Sequence, residues 1–239
     1  MSSTGPGPVP PIALPAWMTA APRKVEPPAP AGPGKPGSPP QQRLTVKAIR
    51  DFLAKSALGR EAVAFYDAHG ISINFMSGKG ASWDKIDNKI NMHSYYSVEM
   101  AALVFVHEIH HARSSIDGPT GDPHTQSMDA YVATMLNEEV HATIAAIQVR
   151  WELNKAGEPP LTAPSESAYS EGRRTGVKRL LETNPDASPE ERAQAGDKGG
   201  YDALMARFRN GDARSSRDGR SYVEVYETSW KNVQSTTPP

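Results

Sequence analysis

Two histidines four positions apart, with a glutamate directly after the first, form the segment of this sequence best suited to chemistry. The run reads His107-Glu108-Ile109-His110-His111. On an α-helix, residues i and i+4 lie on one face, so His107 and His111 can direct their imidazole nitrogens at one zinc ion. Glu108 is close enough to accept a proton from the water that zinc activates, and is angled away from the metal, as a general base requires. The spacing therefore predicts a catalytic zinc site.

A catalytic zinc needs a third protein ligand and one open position. Further along the chain, the adjacent residues Glu138 and Glu139 are the candidates. On a helical wheel Glu139 lies at the margin of an apolar stripe, whereas Glu138 points to the opposite, solvent side. We predict Glu139 as the third ligand, with His141 and His124 as substitutes, and expect Glu138 at most to support one ligand histidine. His110 is interpreted as a neighbour of the site.

Two long helices must position these residues. Ser97 is a suitable N-cap for the first, whose apolar run predicts burial on nearly all sides and which should end near Gly118. The second is predicted from about Ser127 to Lys155. Its apolar face consists of Val132, Leu136, Val140, Ile144, Ile147 and Trp151.

The remaining pattern predicts an α+β fold dominated by helices, with a small sheet followed by the two long helices and a helical C-terminal part. Before the motif, we predict a helix over Thr45 to Gly59 with the glycine as C-cap, a strand over Ile71 to Phe75, and a hairpin formed by Ser82-Trp83 and Lys89 to Met92. After it, helical stretches are predicted for Ser165 to Leu181, Ser188 to Ala195, Tyr201 to Phe208 and Tyr222 to Val233.

Composition narrows the classes of partner. With 26 Lys+Arg against 27 Asp+Glu the formal net charge is -1, so no global field favours nucleic acid or an anionic membrane. The longest apolar run, Met100 to Val106, is far shorter than the roughly 20 residues of a membrane span. Because the sequence has no cysteine, histidine and carboxylates are the strong metal ligands left to it.

Residues 1–42 are dominated by Pro, Gly, Ala and Ser, a composition that cannot bury enough apolar surface to fold. We predict a disordered leader or linker over 1–42 and one catalytic domain over 43–239. An apolar island from Ile12 to Met18, which contains Trp17, is either a docking segment or a stretch without a role. The N-terminus does not have the basic and uninterrupted apolar regions of a Sec signal.

A resemblance supports the zinc site over roughly Ser82 to Ala146. The stretch is similar to zincin peptidases of the gluzincin type, and among them to bacterial toxin and effector metallopeptidases, including the clostridial neurotoxin light chains. Those carry H-E-L-I-H-A, a glycine six residues later, and a Glu-Glu pair whose second member binds zinc. Here the motif is followed by Ala112 and, six positions on, Gly118, and the pair is Glu138-Glu139. The glycine-rich continuation after the pair is missing.

The resemblance implies a zincin-like domain with zinc on His107, His111 and Glu139, and Glu108 as base. Such peptidases usually add a donor for the oxyanion from a C-terminal segment. We choose Tyr222 for this role, with Tyr226 and Arg220 as alternatives, although the aromatic residues of this segment would also serve simply to pack the last helix. The resemblance also implies that Lys89 to Met92 pairs with an extended substrate by strand addition.

These observations predict a zinc-dependent endopeptidase that acts on a protein or peptide, with cell-wall peptides among the candidates, and that serves as a bacterial effector or toxin. Such a role implies export machinery or an immunity protein as partners, and a protein that is cytoplasmic before secretion or translocation by a non-Sec route. The alternative is a non-catalytic zinc-binding interaction module recruited through the Pro-rich leader.

Removal of residues 1–42 should leave the melting temperature of the domain nearly unchanged, because this segment has too little apolar content to share its core. Thermal unfolding of the full chain and the truncated chain, followed by circular dichroism, measures this. A clear drop on truncation would show that the island around Trp17 docks on the domain.

Overall fold

The computed structural model describes residues 44–118, 120–159 and 161–236. The predicted leader, with its apolar island, lies outside the described residues. The elements in chain order are α1 (Val46–Leu53), α2 (Ala57–Ala68), β1 (Ser72–Met76), β2 (Ala81–Asp84), β3 (Lys89–His93), α3 (Val98–Asp117), α4 (Met128–Lys155), α5 (Glu166–Thr183), α6 (Pro189–Arg209) and α7 (Tyr222–Thr236). The predicted α+β class with a small sheet and mostly helical structure is confirmed. None of the described helices has the length and apolarity needed to cross a membrane.

The two long helices begin and end close to the predicted residues. The Ser97 side chain accepts a hydrogen bond from the Met100 N–H at 3.2 Å, and Ser127 caps α4 in the same way through Ala130. On α3, Leu103, Phe105 and Val106 are buried, as the apolar run predicts. The α4 stripe is also confirmed: four of its members are buried and two pack partly buried against the core, the first group being Leu136, Val140, Ile144 and Ile147.

The sheet has the order β1-β3-β2, with β1 parallel and β2 antiparallel to β3. The predicted hairpin of β2 and β3 is confirmed, with Trp83 opposite Ile90. However, β3 is the central strand, and both of its edges are used within the sheet. The expectation that Lys89 to Met92 adds a substrate strand is therefore wrong, because its backbone groups already have partners. Of the two outer strands, β2 is the one that packs against α3.

The first predicted helix is in fact two. α1 ends at Leu53, and Ser56 starts α2 by accepting a hydrogen bond from the Gly59 N–H at 2.9 Å. Glu152 of α4 accepts bonds from the Ser56 hydroxyl and the Leu58 N–H at 2.5 and 3.0 Å. Gly59 is therefore inside a new helix rather than a C-cap. The long-range contact with Glu152, which sequence spacing does not reveal, fixes the start of α2.

The two predicted helices Ser188 to Ala195 and Tyr201 to Phe208 are one helix, α6. Ser188 forms the expected start, a capping box with Glu191. The glycines after Ala195 do not break the helix, because α6 packs closely on α5 there. A Cβ on Gly176 would lie 2.1 Å from the Ala195 carbonyl oxygen, a contact that only glycine allows.

Substitution of Gly176 by alanine should lower the melting temperature. In an exposed helix interior this change stabilises by up to about 1 kcal/mol, but here the new methyl group collides with the α6 backbone, and overpacking costs about 1–3 kcal/mol. Gly118→Ala is the control, because its Cβ would meet the Ser114 carbonyl oxygen at 3.4 Å, an ordinary contact. Equal thermal stability of Gly176→Ala and the wild type would contradict the close packing.

Candidate metal centre

Three side chains from α3 and α4 converge on one point. The Nε2 atoms of His107 and His111, one turn apart on α3, are 3.1 Å from each other. Glu139 of α4 places Oε2 3.3 Å from His107 Nε2 and Oε1 3.6 Å from His111 Nε2. The ligand atoms of the three residues all lie within 4.8 Å of one another. The structure thus brings together the three residues that the sequence predicted as metal ligands.

The chemistry of this cluster fits a cation. Glu139 is only 5% exposed, and its Oε2 is buried without a hydrogen-bond partner among the described residues. Burial alone would raise the pKa of this carboxyl, but the charge of His111 and the close approach of both histidine rings hold it well below its ordinary value. Two imidazoles and one carboxylate are a common ligand set of catalytic zinc. A zinc ion between them would pair the buried charge.

Glu138 lies beside the cluster and does not face solvent. Its Oε1 is 2.8 Å from His111 Nδ1, and its side chain is 10% exposed. The prediction of a solvent side was wrong because α4 is covered by α2, α3, α6 and α7, so that little of its circumference reaches water. A carboxylate on the second ring nitrogen fixes the orientation of a ligand histidine. The expected supporting contact is therefore the one that the structure shows.

Tyr226 of α7 gives the cluster a second support. Its hydroxyl donates a hydrogen bond to Glu139 Oε1, and its ring lies edge-on to Tyr131 of α4, with centroids 6.2 Å apart. Burial, followed by the charge of Glu139, raises the pKa of Tyr226 well above its ordinary value, so the phenol remains a donor. The sequence singled out Tyr226 as an oxyanion candidate. The structure instead places it on the carboxylate.

Glu108 is buried next to the cluster, with 6% of its surface exposed. Burial raises the pKa of its carboxyl, while His107, His111 and a backbone hydrogen bond from Trp83 act in the opposite direction. A carboxylate with a raised pKa is a better proton acceptor at neutral pH. Its position, adjacent to the two histidines but outside the group of three, is the one predicted for a base.

The cluster opens into a cleft of about 700 Å³ lined by parts of β2, α3, α4, α7 and the segment that joins α6 to α7. Tyr222 lines this cleft, and its hydroxyl has no hydrogen-bond partner among the described residues. Burial, then Glu139 and Glu108, raise the pKa of Tyr222, which keeps it protonated. Arg220 is not among the lining residues; it pairs with Asp218 at 2.7 Å.

Residues 26–164, more than half of the chain, match the model of a family described as "Putative metallopeptidase family (DUF6782)". The chain belongs to this family. The matched segment contains α3, α4 and all three residues of the cluster, so the metallopeptidase family and the geometry agree. No curated protein and no solved structure matches significantly. The match ends before α7, so Tyr222 and Tyr226 lie outside it.

The other candidate histidines, His110, His141 and His124, are not part of the group of three. His110 stacks on His141 with ring centroids 6.2 Å apart, and burial lowers the pKa of His110 to about 3. His141 also contacts Tyr201 rather than the ligands. His124 lies in the turn before α4, where its backbone N–H donates to Asp122. Neither substitute for Glu139 belongs to the group of three.

Metal analysis of purified variants should rank the residues of the centre. The wild type should hold about one zinc per chain, and His107→Ala, His111→Ala and Glu139→Ala should remove most of it because each loses a direct ligand. Glu138→Ala, which loses only the support of His111, should weaken zinc binding about 10–100-fold in a chelator competition. Glu108→Gln should bind zinc as the wild type does. Equal loss in Glu138→Ala and Glu139→Ala would refute the ligand assignment.

Proposed function

We propose that the protein is a zinc endopeptidase with Glu108 as general base and Tyr222 as oxyanion donor. The observation that supports this best is the open cleft at the cluster: three ligand residues converge, and the described residues offer no fourth. A structural zinc site is closed by four protein ligands, whereas a catalytic site keeps one position free. This difference favours an enzyme over the alternative of a zinc-binding interaction module.

The residues of the cleft can divide the reaction between them. Zinc, when bound, supplies a Lewis acid that polarises the scissile carbonyl and activates water near neutral pH. Glu108 accepts the proton of the attacking water and passes it to the departing amine, which its raised pKa permits. Tyr222 donates its free hydroxyl proton in a hydrogen bond to the carbonyl oxygen as negative charge develops.

A peptide in the cleft would lie against β2. Ala81, Ser82 and Trp83 of this strand line the cleft, and β2 pairs with β3 on one side only. An extended peptide can pair with such an open edge through backbone hydrogen bonds. We therefore assign to β2 the role in strand addition that the sequence had suggested for β3.

The gluzincin type, the effector or toxin role, the immunity partner and export by a non-Sec route remain predictions. They are supported by the resemblance to toxin metallopeptidases and by the composition of residues 1–42. A peptide substrate follows from the metallopeptidase family. Cleavage of host proteins, rival proteins or cell-wall peptides would each be compatible with a cleft of this size.

Steady-state kinetics should distinguish the roles of Tyr222 and Tyr226. The substrate is a peptide whose sequence is taken from the sites at which the wild type cleaves casein. Tyr222→Phe should lower kcat about 10²–10³-fold without loss of zinc, since it removes a donor used only in the transition state. Tyr226→Phe should weaken zinc binding about 10–100-fold and recover activity when zinc is added, since it releases Glu139. Glu108→Gln, which keeps zinc, should lose at least 10²-fold in kcat.

The two phenylalanine variants are matched controls for each other, because both remove one hydroxyl from α7. The same response of both tyrosines, or full activity of Glu108→Gln with zinc bound, would contradict the proposed roles.

A further inference from the structure

Arg207, in the last turn of α6, faces the same cleft with an unpaired guanidinium. The side chain lines the cleft together with the ligand histidines and Glu108. Its Nε atom is buried without a hydrogen-bond partner, and the residue forms no ion pair within the described part of the chain. A buried N–H of a charged group is unfavourable unless a partner satisfies it.

Two other arginines with little exposure have carboxylate partners. Arg173 pairs with Asp197, and Arg150 lies 3.1 Å from Glu166. These two ion pairs join neighbouring helices. Arg207 has no corresponding carboxylate, so a role in holding the fold together does not account for it.

None of the four described carboxylates that line the cleft forms an ion pair with Arg207, and Glu108 accepts a hydrogen bond from the Trp83 backbone instead. Glu138 contacts His111, and Glu139 contacts Tyr226 and both histidines. Asp212 lines the cleft but is exposed and forms no ion pair with Arg207. The cleft therefore holds a fixed positive group that the described residues do not neutralise.

Backbone hydrogen bonds fix the position of Arg207 at the end of α6. The Arg207 carbonyl accepts hydrogen bonds from the N–H groups of Asp212 and Ala213 at 2.9 and 3.2 Å, which close the end of α6. Arg214 and Arg217 also line the cleft, with the Arg214 guanidinium held 3.0 Å from the Gly219 carbonyl oxygen. Of these three arginines, Arg207 is the most buried.

We infer that Arg207 determines specificity by binding a carboxylate of the peptide substrate through its two terminal guanidinium nitrogens, in a charge-assisted and bidentate manner. The inference rests on the proposed peptidase function. Two sources share this chemistry, an acidic side chain near the scissile bond and the free C-terminal carboxylate of a short peptide. Both match the planar fork of arginine, which lysine does not reproduce.

Cleavage profiles of a proteome-derived peptide library test this with zinc-loaded full-length protein. The wild type should favour peptides with Asp or Glu at one position about tenfold or more, and Arg207→Gln should lose this preference. Arg209→Gln, an exposed position on the same helix that does not line the cleft, should keep it. Arg207→Lys should keep only part of it.

Pairs of synthetic peptides that differ in one carboxylate distinguish an acidic side chain from the C-terminal carboxylate as the bound group. Replacement of Glu by Gln should reduce kcat/KM if the side chain is bound, and amidation of the C-terminus should do so if the terminal carboxylate is bound. Cleavage by the wild type without any carboxylate preference, or a preference that persists in Arg207→Gln of wild-type melting temperature, would overturn the inference while leaving the peptidase function intact.

A binding measurement tests the carboxylate site even if the protein does not hydrolyse peptides. Fluorescent pentapeptide pools with a central Glu or a central Gln are titrated into zinc-loaded Glu108→Gln, and anisotropy reports binding. Preference for the Glu pool that disappears in the double variant Glu108→Gln, Arg207→Gln supports the carboxylate site even without hydrolysis. The carboxylate site would be refuted if the central-Glu and central-Gln pools bound equally and if pools with a free and an amidated C-terminus also bound equally.

Discussion

The buried carboxylate of Glu139 is the constraint on which the rest of this structure depends. A charge at 5% exposure inside a helical core is costly unless other groups compensate it. The two histidines of α3 and the Tyr226 hydroxyl provide part of that compensation, and a cation between them would complete it. α3 and α4 must therefore pack so that His107 and His111 lie beside Glu139. α7 must also pack against α4, so that Tyr226 reaches this carboxylate.

The return of α7 explains several contacts far apart in the sequence. Trp230 donates its indole N–H to the Gln126 carbonyl oxygen at 3.0 Å, and Ser229 lies 3.4 Å from the Tyr131 hydroxyl. These bonds hold the last helix against the start of α4. Packing by the aromatic residues and support of the metal site are thus one arrangement, in which Trp230 anchors α7 and Tyr226 reaches Glu139.

Local patterns were sufficient to predict the three residues that converge and the two helices that carry them. The i, i+4 spacing of His107 and His111 and the caps at Ser97 and Ser127 depend only on near neighbours in the chain. The errors concern non-local packing. The side of α4 that Glu138 faces depends on four covering helices, and the central place of β3 depends on its parallel pairing with β1. Neither the packing around α4 nor the pairing of β1 with β3 can be predicted from local sequence periodicity.

The two tyrosines of α7 show how one helical spacing can give two different roles. Their rings lie 6.2 Å apart and both line the cleft, yet the Tyr226 hydroxyl binds a buried carboxylate, whereas the Tyr222 hydroxyl binds no described residue. The two residues are one helical turn apart along α7, and only Tyr226 reaches Glu139. The family match, which ends at residue 164, contains the predicted metal ligands but neither tyrosine nor Arg207. The groups that would stabilise the transition state and select the substrate therefore come from the C-terminal part, which folds back onto the candidate metal site of the family-matched part.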